Sequence, residues 1–201
     1  MIRKFKRVIP DNVNVIGLKS GDIKSLDIKC SSTKCSDDLH CFSRYMKSAE
    51  KKFGKIGVCY NCGNESIDWK RVHKNDVKDA NYIFESLNKE LIRKVFSTII
   101  VEEKAIESAK KLSREELRKL VKKTLHTRIG KYNSYIDSRQ TPLGKDDIVN
   151  YAQHATGTCC RECLEAWHNI PKEQELTNTQ LEFCTDLTMI YIDEKISYLT
   201  K

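Results

Sequence analysis

Between His154 and His168 the chain places Cys159, Cys160 and Cys163, so three thiols and two imidazoles share one short stretch. A core needs only a small apolar side chain where a Cys would sit, and neither residue type gathers like this for packing alone. Both are ligands for a borderline-soft cation such as Zn²⁺, and Cys160-x-x-Cys163 has the spacing of a metal knuckle. The run is therefore expected to gather around a cation; the alternative is a buried-thiol helix whose histidines bond backbone carbonyls. His154, Cys160, Cys163 and His168 are the expected ligands, with Cys159 the competitor. On a helix Cys160 and Cys163 share a face, and His168 comes back near it. Four protein ligands close the site; loss of one His opens a position for water and hydrolytic chemistry.

A second cluster lies in the N-terminal third. Cys30 and Cys35 have four residues between them, and Cys59 and Cys62 have two. Two spaced pairs around a hairpin-length insert suit a closed Cys₄ site in which Zn²⁺ stands in for a missing core. His40 and Cys41 are substitutes for Cys30 or Cys35. The surrounding sequence reads as short strands and turns: Leu26 to Cys30 alternates, Leu39 to Tyr45 is a return strand, and Gly54 to Val58 leads into the second knuckle. That is the grammar of a small zinc ribbon, and two bound Zn²⁺ ions are expected.

Helical periodicity begins at Asp76. Val77, Ala80, Phe84, Leu87, Leu91 and Val95 form one stripe through about residue 99. Ser113 with Glu116 is a capping box, and Gly130 follows as a stop. Asp146 or Asp147 can cap a short helix to His154, and Pro171 stops another begun near Cys159. Thr177 with Gln180 caps a last helix that turns Leu181, Cys184, Leu187, Tyr191 and Ile192 inward, so Cys184 reads as core. The expected fold class is α+β: residues 1–75 a β zinc-ribbon module, 76–130 two helices, and 131–201 a helical Cys/His metal-binding domain.

Charge is uneven. Net charge is +8 over residues 1–75, +6 over 76–145 and −6 over 146–201. Such asymmetry suggests a surface that faces a polyanion. Arg114, Arg118 and Lys122 step by four along one helix, with Lys119 beside them, and this face is the candidate nucleic-acid contact. A further polar group, Arg71, His73 and Asp76, could form an active site with His73 as general base and Arg71 gripping a phosphate. No apolar run approaches the ~18–20 residues that span a bilayer. The basic start Met1 to Arg7 has no apolar stretch behind it, and nine Cys without a secretory signal argue for a reducing cytoplasm and for metal ligation over disulfides.

The order Gln140-Thr141-Pro142, Gln153-His154-Ala155-Thr156, Thr158-Cys159-Cys160-Arg161, Cys163-Leu164, Trp167-His168 and Ile170-Pro171-Lys172 resembles the signature of a bacterial family known only as a domain of unknown function. The likeness covers roughly residues 125–200. Leu39-His40-Cys41-Phe42, Cys59, Cys62-Gly63, Asp68-Trp69 and Arg71-Val72-His73 are similar to a segment of uncharacterised bacterial proteins, although Lys94 and Ser97 stand where that segment would carry histidines. The resemblance implies a bacterial or phage origin and a real C-terminal domain; it implies no activity. A zinc-deaminase pattern does not fit, because Thr156 takes the place of the general acid/base Glu and only a few residues separate its two halves. The function expected from the residues is that of a zinc-binding, nucleic-acid-associated accessory protein. The alternatives are a metal-dependent enzyme on a phosphorylated or nucleotide substrate and a zinc-stapled adaptor for a protein partner.

Overall fold

Helix-favouring stripes and caps dominate the chain, and the structure, a computed structural model, follows them. It describes residues 9–132 and 141–198, so the basic start Met1 to Arg7 and Gln140 lie outside the described residues. In the N-terminal part α1 (Ser20–Ser25), α2 (Met46–Phe53) and α3 (Trp69–Val72) are short. Then come α4 (Ala80–Leu87), α5 (Leu91–Thr98), α6 (Glu103–Lys110) and α7 (Arg114–Leu125), the last running into a π-type turn, His126–Gly130. The C-terminal part holds α8 (Ile148–Ala155), α9 (Arg161–His168) and α10 (Asn178–Tyr198). No helix among the described residues is long and apolar enough to cross a membrane.

The expected α+β class with a β zinc ribbon is corrected by this structure. No strand forms among the described residues; the only ladder contacts are isolated bridges, Lys34 with Leu39 and His40 with Glu90. The physical reason is local. Asp27, Asp38 and Tyr45 all take left-handed φ near 51–60° and turn the chain where the alternating runs would have to stay extended. Nor does this region lack a core. Ile23, Ile28, Leu39, Phe42 and Ile67 are buried in the same apolar cluster as the helices. Phe42 meets Trp69 and Trp167 edge-on, each at 6.1 Å between ring centroids.

The local stop and start signals explain the helices. Ser113 Oγ accepts from the Glu116 amide while the Glu116 carboxylate accepts from the Ser113 amide, which completes the capping box of α7. Thr177 and Gln180 reciprocate in the same way ahead of α10, and Asp147 caps α8 through the Val149 amide. The stripe from Val77 to Val95 is broken at Asn88 to Glu90 instead of running through. There the backbone leaves the helix to pair with His40: the His40 amide donates to the Lys89 carbonyl and the Leu91 amide to the His40 carbonyl. This break fastens the N-terminal segment to the helical part. Helix α8 packs on α5, and α10 packs across α7 and α8, with Leu187, Tyr191 and Ile192 buried between them.

Candidate metal centres

The first centre gathers Cys35, His40, Cys59 and Cys62, whose ligand atoms all lie within 4.8 Å of one another. Cys59 and Cys62 sit on a tight turn, closed by the Gly63 amide donating to the Cys59 carbonyl. Gly63 is left-handed at φ +81°, and a Cβ there would meet the Phe53 ring at 3.0 Å, so both conformation and space favour Gly. His40 Nε2 bonds to the Asp38 carboxylate at 2.8 Å, which turns Nδ1 toward Cys62 Sγ at 3.4 Å. An imidazole held this way offers its free nitrogen as a ligand. Burial raises the Cys59 thiol, but hydrogen bonds from His40 and from nearby backbone amides outweigh it and bring the pKa down to about 6. Cys35 goes the other way, to about 12, because burial and neighbouring thiols outweigh its bond from Asn61.

Cys30 does not join this centre. Its thiol bonds to Cys163 of the second one, and its carbonyl accepts from Cys41 Sγ at 3.1 Å. Cys41 is thereby tied to the backbone and is buried.

The second centre gathers Cys159, Cys160 and Cys163, again with sulfurs within 4.8 Å of one another and all buried. Cys160 is the N-cap of α9, so Cys163 lies in its first turn with its amide on the Cys160 carbonyl. Gly157, at φ +71°, lets the chain turn closely past His168 and Leu87 to bring Cys159 round. A buried guanidinium faces the sulfurs. Arg93 Nη2 donates to Cys163 Sγ at 2.9 Å and Nη1 to Cys159 Sγ at 3.4 Å, while Nε donates to the Glu90 carboxylate at 3.1 Å. Glu90 also accepts from the Phe42 and Ser43 amides and from Trp167 Nε1. Hydrogen bonds from Cys160 and Cys163 hold the Cys159 thiol far below its ordinary range, and Arg93 adds to the effect.

The two histidines of the run lie beside the sulfurs but outside that group. His154 Nε2–H donates to the Thr141 carbonyl at 2.9 Å, and its ring stacks on Phe96 at 4.4 Å. His168 Nε2–H donates to the Thr156 carbonyl at 2.8 Å. Burial pushes both rings down to about 4, so they are neutral, and neither Nδ1 has a partner among the described residues. The unusual order of the sequence run becomes intelligible as one network. Gln153 clasps Thr158, Thr141 bonds to the Cys159 carbonyl, and Arg161 donates to the carbonyls of Ile129, Pro171 and Lys172.

That network falls within a known family. A family model described as a domain of unknown function (DUF4186) matches residues 81–193. The chain belongs to this family. The DUF4186 region holds α10 to Asp193, the second thiol centre, Glu90 and Arg93, whereas Cys30 and the whole first centre precede it. No solved structure matches the chain.

The other candidate residues are dispersed. Arg71 is bidentate on Asp79 and lies over the Tyr82 ring at 4.0 Å, and Asp76 accepts from the Lys78 amide. His73 turns away from both, packs on Trp69 at 5.3 Å and directs a ring N–H at the Ala166 carbonyl. On α7, Arg118 bonds to Glu182 and Asp186 at 2.7 and 2.6 Å. Lys122 pairs with Glu182, Arg114 with Asp193, and Lys119 with Glu115. Glu90 and Arg93 escaped notice in the sequence, although a charged pair three residues apart inside an apolar stripe is an available signal.

Proposed function

We propose that this is a zinc protein whose two thiolate centres pin an N-terminal segment onto the DUF4186 domain. The observation that carries the reading is the convergence of Cys35, His40, Cys59 and Cys62. Zn–S bonds of ~2.3 Å on a tetrahedron put sulfurs ~3.8 Å apart, and Cys35 Sγ and Cys59 Sγ are separated by 3.9 Å. Three sulfurs and one carbonyl-free imidazole nitrogen are a donor set that Zn²⁺ takes in closed structural sites. At the second centre Cys159, Cys160 and Cys163 give three sulfurs, the Cys30 thiol bonded to Cys163 is the candidate fourth, and Arg93 offsets the charge of that thiolate set. Each centre therefore joins segments far apart in sequence, and metal binding there is folding energy. Metal analysis of the purified chain tests this: one zinc per centre is expected, and Cys59→Ser with Cys62→Ser should remove one. A metal-free native chain would refute it.

For association with nucleic acid, the α7 candidates Arg114, Arg118 and Lys122 are paired with α10 carboxylates and Lys119 with Glu115 of its own helix, so a polyanion would have to compete with these pairs. The enzyme reading has one observation behind it. A cleft of about 820 Å³ is lined by Cys30, His154, Arg44 and Glu162, so it reaches the thiol that bonds to Cys163. If Cys30 yields its place to a substrate, azide should change the spectrum of the Co²⁺-substituted centre; an unchanged spectrum means a closed site.

A further inference from the structure

We propose a third cation site, formed by His73 Nε2, His168 Nδ1 and Asn75 Oδ1, free of sulfur and separate from both thiolate centres. All three atoms are buried without a hydrogen-bond partner among the described residues. Both His73 and Asn75, on the segment after α3, bond to backbone carbonyls at the end of α9, where His168 lies. Asn75 Nδ2 donates to the His168 carbonyl at 2.8 Å, which fixes the amide and leaves Oδ1 as an acceptor. His73 directs its N–H at the Ala166 carbonyl, two residues before His168.

The chemistry of the three atoms is alike. His168 spends Nε2–H on the Thr156 carbonyl, so Nδ1 carries a lone pair. His73 spends its N–H on Ala166, so Nε2 does too. Asn75 spends its amide donor on His168. A water has two hydrogens and cannot satisfy three acceptors, and burial of unpaired acceptors is unfavourable. A cation satisfies all three at once. An imidazole whose other N–H is held by a backbone carbonyl is the usual arrangement of a metal-ligating histidine, and two occur here side by side. Two imidazole nitrogens and an amide oxygen suit a divalent first-row ion such as Zn²⁺ or Co²⁺ over Mg²⁺ or Ca²⁺. His168 itself is fully buried, so the ion would lie inside the protein.

Co²⁺ loading separates this site from the thiolate centres, because only a sulfur-ligated cobalt gives the intense near-ultraviolet thiolate charge-transfer band. Under equilibrium dialysis, the native chain should take up a further equivalent of Co²⁺ after that band has saturated. His73→Phe keeps an aromatic ring against Trp69 but has no nitrogen; Asn75→Gly suits the left-handed φ of 53° at that position and has no amide. Each should lose the sulfur-free equivalent and keep the full band. Absence of that equivalent in the native chain, or its persistence in both variants, would overturn the proposal. A missing charge-transfer band would instead refute the thiolate centres and leave the sulfur-free equivalent to be counted by itself.

Discussion

Arg93 Nη2 lies 2.9 Å from Cys163 Sγ, and no part of the Arg93 side chain reaches solvent. The same guanidinium bonds to the carboxylate of Glu90, which in turn gathers amides from Phe42 and Ser43. One buried charge thus connects the second thiol cluster to the N-terminal segment. Removing it leaves Glu90 and the sulfurs uncompensated, which for a buried pair costs about 3–5 kcal/mol. Arg93→Met should lower stability by that order in urea unfolding of the metal-loaded protein. A loss within ~0.5 kcal/mol, typical of surface changes, would mean the pair is dispensable.

Cys30 and Cys35 are near neighbours in sequence, but Cys35 lies in the first group while the Cys30 thiol bonds to Cys163 of the second. Cys30→Ser should therefore perturb the second centre and leave the first intact, whereas Cys62→Ser should do the reverse. The distinction is read from which metal a competing chelator removes first in each variant. Equal effects of Cys30→Ser and Cys62→Ser on one and the same metal would contradict the assignment.

What the sequence disclosed, and what it hid, divides along range of interaction. The capping boxes of Ser113 and Thr177 were legible because both partners lie within one turn. Two Cys/His clusters were legible because knuckle spacing is local. The meeting of Cys30 with Cys163 was not, since nothing in a linear spacing says which distant thiol completes a set. The β ribbon was misread because alternation over five residues is a weak signal, and Asp27, Asp38 and Tyr45 accept left-handed conformations that only the folded surroundings enforce. Glu90 and Arg93 were passed over because a charged pair inside an apolar stripe looks like a solvated edge until the N-terminal segment covers it.

His154 and His168 give the protein a defined acid sensitivity. Burial lowers both to about 4 from an ordinary value of 6.5, so the unfolded chain takes up protons in that window and the folded one does not. Their contribution is complete above pH 6.5 and is lost as pH falls toward 4, by up to about 3 kcal/mol each. The urea midpoint should drop across that interval, and His154→Phe should flatten part of the slope. Either ring titrating near 6.5 by NMR would contradict the burial argument.

The paired face of α7 makes its own forecast. The pairs of Arg118 and Lys122 with Glu182 and Asp186 are partly exposed. Partly exposed pairs contribute roughly 0–1 kcal/mol each. Reversing Arg118 and Lys122 to Glu should destabilise the α7–α10 contact slightly and leave the salt dependence of heparin retention unchanged. A marked fall in that salt slope would restore α7 as a polyanion surface.

The central claim is that both thiolate clusters hold zinc. X-ray absorption at the zinc edge of the protein as purified tests it most directly. The expected first shell is dominated by sulfur at ~2.3 Å, with a smaller nitrogen contribution near ~2.0–2.1 Å from His40 and from the sulfur-free site where that also holds zinc. A shell dominated by nitrogen and oxygen, or a native chain with no zinc and the paired thiols oxidised, would contradict it.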